Sequence, residues 1–225
     1  MTQRLPQEYI EHFSAMRKEP KEIFFRGNPA LLKQPKISIV GTRRPSQYTQ
    51  QMTVETARKL SRAGVVIVSG AAMGVDTRAH IGAGAGNTIA VMGNGLDIRY
   101  PATNRELIKT IENEGLTLSM YPDGSSAAYW SFVARNEMVV ALGDVLIVSE
   151  ADRNSGSMRS VEYARKMGKK IYTFSHRTGE SEGTMDLVKQ GEAEIIYDVD
   201  RFVSQYGQVK AVENDPFLVF CLQNP

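Results

Sequence analysis

Lys36-Ile37-Ser38-Ile39-Val40 is a short run rich in β-branched residues, and Gly41-Thr42-Arg43-Arg44-Pro45-Ser46 follows it directly. Such a run, closed by glycine and a polar loop, reads as a buried strand that ends at a sheet edge. The next residues, 47–63, place Met52, Ala57 and Leu60 on one helical stripe, and Gly64 stands where a helix C-terminus favours glycine. The same alternation continues along the chain. Val65-Val66-Ile67-Val68, Thr88-Ile89-Ala90-Val91-Met92, Leu116-Thr117-Leu118, Asp144-Val145-Leu146-Ile147-Val148 and Lys170-Ile171-Tyr172-Thr173-Phe174 read as further strands, with a weaker one at Glu194-Ile195-Ile196-Tyr197. Helical runs separate them. Buried strands alternating with helices predict a mostly parallel sheet covered on both faces.

The expected class is therefore α/β, a Rossmann-like sheet with a small N-terminal helical extension. That extension is a helix over residues 6–18 and an apolar patch, Ile23-Phe24-Phe25, expected together as a small cap spanning 1–35. The main domain is expected over 36–207. The pattern fades beyond it, and 208–225 form a tail in which Asp215-Pro216-Phe217-Leu218-Val219-Phe220-Cys221 reads as the start of a further element.

With 225 residues and 42% hydrophobic content, the chain can bury a large core without metals or disulfides. One cysteine, Cys221, excludes an intramolecular disulfide and suits a reducing compartment. Residues 1–10 carry no apolar signal core, and no apolar stretch reaches membrane-spanning length, so a cytoplasmic protein with no membrane partner is expected. Net charge is +2, from 27 basic and 25 acidic residues, too balanced to indicate a partner. The positions of the arginines carry the argument instead.

Ligands of an open parallel sheet bind beyond the carboxyl ends of its strands. The loops expected there are Gly41–Ser46 in sequence order as quoted, Ser69-Gly70-Ala71-Ala72-Met73-Gly74-Val75-Asp76, Gly93-Asn94-Gly95-Leu96-Asp97-Ile98-Arg99-Tyr100-Pro101, Tyr121-Pro122-Asp123-Gly124 with the loop to Arg135-Asn136, and Glu150-Ala151-Asp152-Arg153-Asn154-Ser155-Gly156-Ser157. Glycine lets a phosphate approach the backbone, the following helix offers free N–H groups, and arginine adds a planar fork. Together they describe a row of anion sites. Arg135 is expected in the first turn of a helix after Ser131, and Arg159 early in the helix after Ser157. A bound anion would offset the unfavourable helix-dipole term there. A local pairing of Arg159 with Glu162 or Glu150 is the competing reading.

Absent motifs narrow the choice. No G-x-x-x-x-G-K-[ST] follows a strand, and the first loop is not G-x-G-x-x-G. The second strand ends in Ser69 rather than an acid that could hold a ribose. Gly82-Ala83-Gly84-Ala85-Gly86 precedes a strand and reads as a flexible helix end. Asp76 and His80, four residues apart, read as a structural pair. Three histidines and one cysteine suggest no metal cluster. No catalytic residue, metal or cofactor is expected.

Over most of residues 20–200 the loop motifs resemble those of the DNA-processing protein A (DprA/Smf) family. They are Ile39-Val40-Gly41-Thr42-Arg43-Arg44, Ser69 to Asp76 as above, Gly93 through Pro101 continuing into Ala102-Thr103-Asn104, then Arg135-Asn136, Ser155-Gly156-Ser157-Met158 and Gly183-Thr184. The resemblance implies a homodimer that binds incoming single-stranded DNA in natural transformation and helps load the RecA recombinase. It also implies a C-terminal winged-helix-like domain, whose beginning the tail after Asp215 would fit. Its phosphate contacts fall on Gly41, Arg44, Arg135, Asn136 and the Ser155-Gly156-Ser157 turn. Three positions depart from the family pattern: Glu137 where a second arginine is frequent, Ser119-Met120 where Ser-Glu is frequent, and Tyr129 or Trp130 where some relatives place a basic residue.

The complete set of expected DNA or phosphate contacts is Gly41, Thr42, Arg43, Arg44, Ser69, Gly70, Gly74, Arg99, Trp130, Arg135, Asn136, Ser155, Gly156 and Ser157. A flexible single strand fits a row of pockets better than a rigid duplex, and its bases need stacking partners. Tyr48, Tyr100, Tyr121, Tyr129 and Trp130 lie near the edge, and only Tyr129 and Trp130 are expected to be exposed. The alternative is a nucleotide-processing enzyme like the phosphoribohydrolases, with Glu150 or Glu162 as its acid. Ser155-Gly156-Ser157-Met158 lacks that class's Pro-Gly-Gly turn, which ranks it second.

Overall fold

The computed structural model describes residues 1–214; the further element expected from Asp215 onward lies outside the described residues. Nine strands form one sheet: β1 (Gln3–Arg4), β2 (Phe24–Gly27), β3 (Lys36–Val40), β4 (Val66–Ser69), β5 (Thr88–Met92), β6 (Leu116–Ser119), β7 (Val145–Val148), β8 (Ile171–Thr173) and β9 (Glu194–Ile195). Their order is β1-β2-β6-β5-β4-β3-β7-β8-β9. Every pairing from β6 through to β9 is parallel, while β1 and β2 join antiparallel at the β6 edge. The helices are α1 (Gln47–Arg62), α2 (Val75–Ala83), α3 (Arg105–Glu114), α4 (Tyr129–Leu142), α5 (Gly156–Lys166), α6 (Glu182–Lys189) and α7 (Val199–Asn214). This is the Rossmann-like α/β sheet that the strand–helix alternation predicts.

Alternate residues of the strands feed cores on the two faces of the sheet, with Ala90 and Met92 of β5 joining Ile108 and Ile111 of α3 in a smaller third cluster. Val66, Val68, Ile89, Val91, Leu116, Leu118, Leu146 and Val148 pack with α4, α5 and the N-terminal segment. Ile37, Ile39, Ile67, Val145 and Ile147 face α1, α2 and α7 on the other side. Strands with both faces covered need side chains apolar throughout, which is why they read as unbroken runs. Polar residues inside them are satisfied locally. The Ser38 hydroxyl donates to the Val139 carbonyl at 2.6 Å, and the Ser69 hydroxyl to the Ile39 carbonyl at 2.7 Å.

Local chemistry sets the ends of the helices. The Ser46 hydroxyl accepts the Thr49 N–H at 3.2 Å and caps α1; Gly64, at φ +80°, closes it. The second strand begins one residue later than the apolar run because the Val65 N–H bonds back to Leu60 at the helix end. Lys169 Nζ donates to the carbonyls of Val140, Ala141 and Gly143 and so satisfies the end of α4. Burial lowers its pKa to about 8.

The N-terminal segment is a 3-10 helix, Gln7–Phe13, followed by β2, which the apolar patch at 23–25 anticipates in part. β1, with two polar residues, carries no periodicity to be read from sequence. Glu137 belongs to this join: its carboxylate accepts the Arg17 N–H at 2.6 Å. Glycine is also structural between α1 and α2. A Cβ on Gly82 would meet the Val54 carbonyl at 2.5 Å and Ala57 Cβ at 2.9 Å, so the two helices touch through it. Among the described residues no helix is long and apolar enough to cross a membrane.

His80 on α2 is fully buried. Thr88 Oγ1 donates to the Ile67 carbonyl at 2.7 Å, which leaves it to accept from His80 Nδ1 at 2.7 Å. Burial, reinforced by the Arg135 charge, lowers the His80 pKa to about 3. The unfolded chain takes up this proton near pH ~6.5 and the folded chain refuses it, so stability falls as pH drops through that window toward about 3. We expect a slope approaching ~1.4 kcal/mol per pH unit from this group. Urea titrations from pH 7 to 4 should show a shallower acid loss in His80→Gln than in the wild type; parallel curves would contradict this assignment.

Candidate functional site

The sheet reverses its winding between β3 and β7, and the loops that leave these two strands diverge. Ser149 N–H donates to the Val40 carbonyl and Thr42 N–H to the Glu150 carbonyl, each at 2.9 Å, so the two loops are stitched together before they part. The Glu150 carboxylate accepts both the N–H and the hydroxyl of Ser46 at 3.0 Å, which orients the start of α1. Beyond the strand ends lies a recess of about 520 Å³. Of the expected contacts, Gly41, Thr42, Arg43, Gly70, Arg135, Asn136, Ser155, Gly156 and Ser157 line it. Segments separated by more than a hundred residues of sequence thus meet at one place.

Close packing explains two of the glycines. A Cβ on Gly41 would lie 2.6 Å from Val75 Cγ2, and one on Gly70 would collide with the Arg135 guanidinium. Gly156 is different, because nothing of the protein lies within 4 Å of the position a Cβ would take. It is the first residue of α5, and its N-cap Ser155 makes no side-chain capping bond. The Ser155 hydroxyl is buried without a partner, as is that of Ser160, another lining residue. The α5 N-terminus therefore presents uncapped N–H groups to open space, the arrangement that receives an anion.

Arg135 corrects the expectation drawn from its sequence position. It is the seventh residue of α4, in the second turn, and it is 4% exposed. Its Nη1 donates to the carbonyls of Gly70 and Val91, the latter at 3.0 Å, and its guanidinium lies 5.8 Å from the Phe132 ring centre. Burial works against its charge, Asp76 supports it and Arg43 opposes it. Burial likewise raises the Asp76 carboxyl, with Arg135 pulling the other way. Arg135 ties α4 to the ends of β4 and β5 while still lining the recess. Arg43 is exposed and makes no ion pair or side-chain hydrogen bond among the described residues.

The remaining expected contacts fall elsewhere. Arg44 and Gly74 line an adjoining groove that shares Arg43 with the recess. Ser69 is buried in the sheet-end network. Arg99 donates to Glu112 at 2.6 Å and lines neither. Trp130 is 65% exposed, edge-on to Tyr121 with ring centres 5.6 Å apart, and lines neither recess nor groove. Tyr129, at 82% exposure, lines the recess itself. Tyr48 and Tyr100 are exposed as well, contrary to expectation, because each ring is packed from one side only, by His176 and Phe132 respectively. Sequence reasoning missed Phe132, which lines both the recess and a narrow neighbouring slot walled by Met73, Tyr100 and Pro101. An aromatic residue within an amphipathic helix carries no signal that separates a site from a core. Arg159 pairs loosely with Glu162 at 3.4 Å on the exposed rim, as the competing reading held. Two asparagines of one family motif are structural here. Asn94 donates to the Gly95 and Ile98 carbonyls, and Asn104 to those of Ala71 and Ala72.

Fold and recess define a Rossmann-like domain with an open recess at the switch point of the sheet. The family model described as DNA recombination-mediator protein A matches residues 1–207, and the chain belongs to that family. The chain is 38% identical over 176 residues to DNA processing protein DprA of Streptococcus pneumoniae, covering 76% of this chain and 62% of that protein. It is 35% identical over 183 residues to Protein Smf of Synechocystis sp., covering 80% and 46%. It thus spans about half to three-fifths of the length of these relatives. Among solved structures it resembles DNA processing protein A from Helicobacter pylori, described for its single-stranded DNA binding mode, with TM-score 0.91, 37% identity and 93% and 97% of the two chains covered.

The free space above Gly156 yields a direct test. Gly156→Ala should fold normally, with stability unchanged or raised by about 0.4–1 kcal/mol from the lost glycine entropy. Anion or oligonucleotide affinity should nevertheless fall, because the methyl group occupies the approach to the α5 N–H groups. Full affinity in Gly156→Ala would place the bound phosphate elsewhere.

Proposed function

We propose that this chain binds single-stranded DNA at the recess, independent of sequence and without chemical turnover. One observation carries the reading: the uncapped α5 N-terminus, the unpaired Arg43 and the buried Arg135 converge on one open recess with exposed aromatic rings on its rim. Phosphates would sit on the N–H groups and guanidinium forks, and bases would lie against Tyr129, Trp130 or Tyr100. Relatives that process DNA, and the Helicobacter pylori protein with its single-stranded DNA binding mode, support the same reading.

The side chains that an enzyme would use are committed to structure. Glu150 holds Ser46, His80 holds Thr88, and Glu162 lies on the exposed rim with Arg159. Binding without catalysis is the simpler account. In line with the family, we propose that the full protein acts in the cytoplasm during natural transformation, shields the incoming strand and hands it to RecA. Filament formation by RecA on strands pre-bound by this chain tests that transfer. We also propose a homodimer; light scattering that finds only monomer at high concentration would refute it.

Trp130 is the only tryptophan, so its fluorescence reports on the start of α4. Oligo-dT should quench it, and duplex of equal length should do so more weakly. Arg43→Ala should weaken oligo-dT binding roughly tenfold to a hundredfold, through loss of a charge-assisted contact. The salt slope should fall by roughly 0.7 for the lost phosphate. A folded Arg43→Ala protein with unchanged affinity and slope would remove the recess from strand binding.

A further inference from the structure

The recess accounts for one row of phosphate sites, yet the free arginines continue past it. Arg43 also lines a groove of about 390 Å³ together with Arg44, Gln50, Thr77 and Arg78. Gln50 and Arg78 in turn line a second trough, between α1 and α2, with Gln47, Gln51, Glu55 and Arg58. Residues 47, 50, 51, 54 and 58 follow helical spacing, so one face of α1 forms its wall.

We propose that this face is a cationic track, Arg44–Arg78–Arg58, which carries the phosphate backbone of a single strand onward from the recess. The inference rests on the recess being a strand-binding site. Among the described residues, Arg44, Arg58 and Arg78 make no ion pair and no side-chain hydrogen bond. The groove beside Arg44 has no acidic lining residue. The trough has one, Glu55, whose carboxylate is held by Lys59 at 2.8 Å, and Lys59 also holds Asp200. Three unpaired guanidiniums in a line, on a chain of net charge only +2, mark a concentration of positive charge.

The chemistry of the wall selects the occupant. Glutamines and arginines donate hydrogen bonds and offer little apolar surface, Val54 being the one aliphatic lining residue. A protein partner would find no buried anchor of the kind that carries binding energy. A polyanionic backbone needs none, because charge and donors suffice. From Gln47 to Arg58 the helix advances about 16 Å. The track is long enough to add contacts only for strands that extend beyond the recess.

Length dependence separates the track from the recess. The wild type, the Arg58→Ala/Arg78→Ala double variant and a Lys166→Ala control, at the far end of α5, are titrated with oligo-dT of about 4 and about 16 nucleotides, lengths within the usual range of single-strand sites. Circular dichroism establishes that each protein is folded. The double variant should bind the short strand as the wild type does and the long strand roughly tenfold more weakly, with its salt slope lower by roughly 1.4 for two lost phosphates. Lys166→Ala should match the wild type at both lengths. Unchanged long-strand affinity beside normal short-strand binding overturns the track and leaves the recess standing; the face would then suit an acidic protein surface. Equal loss at both lengths also overturns it. Failure of the wild-type protein to bind either strand overturns the recess reading, and the track with it.

Discussion

The parallel pairing of β3 with β7 is the constraint on which the rest depends. It joins residues 37–40 to 145–148 and brings together two halves of the chain that wind in opposite senses. At that seam the outgoing loops must part, because α1 covers one face of the sheet and α5 the other. Parting opens a crevice, and α5 aims its N-terminus into it. The short bonds from Thr42 to Glu150 and from Ser149 to Val40 hold its floor. The uncapped α5 terminus and the open space above Gly156 both follow from where this seam lies.

Arginine plays two roles around the crevice, and solvent exposure separates them. Arg135 is buried, so its guanidinium must be satisfied by the protein. Carbonyls at the ends of β4 and β5 accept from it, the Asp76 charge supports it, and Gly70 exists to leave it room. It positions the strand ends and at the same time lines the recess. Arg43 and Arg44, one turn of loop away, stay in solvent with no partner among the described residues. A guanidinium in water loses little by waiting, and it can gain bidentate contacts when a phosphate arrives. The same contrast explains Arg99 and Arg153, which are held by Glu112 and by Glu182 with Asp186.

The departures from the family pattern have different weights. Glu137 faces away from the recess and bonds the N-terminal segment, so the charge change there serves the fold. Tyr129 and Trp130 put aromatic surface at the start of α4, and both rings are largely in solvent. That flank offers aromatic surface. The cationic share of the surface is displaced toward Arg43, Arg44 and the α1–α2 side.

By itself the sequence determined the parallel α/β class, six of the parallel strands to within a residue or two, and the loops that carry glycine, serine and arginine at the carboxyl edge. Unbroken apolar runs, helical stripes and terminal glycines are local signals, and local physics decides them. The same locality explains what stayed hidden. β1 is two polar residues with no period to show, α7 follows a weakly patterned stretch, and Phe132 looks like any core aromatic. Tertiary structure alone decided that Arg135 is buried in the second turn, that Ser69 and Arg99 turn to other partners, and that Gly41, Gly70 and Gly156 differ in purpose. Each of these depends on which distant backbone atom lies within about 4 Å, a distance set by the packing of elements far apart in sequence.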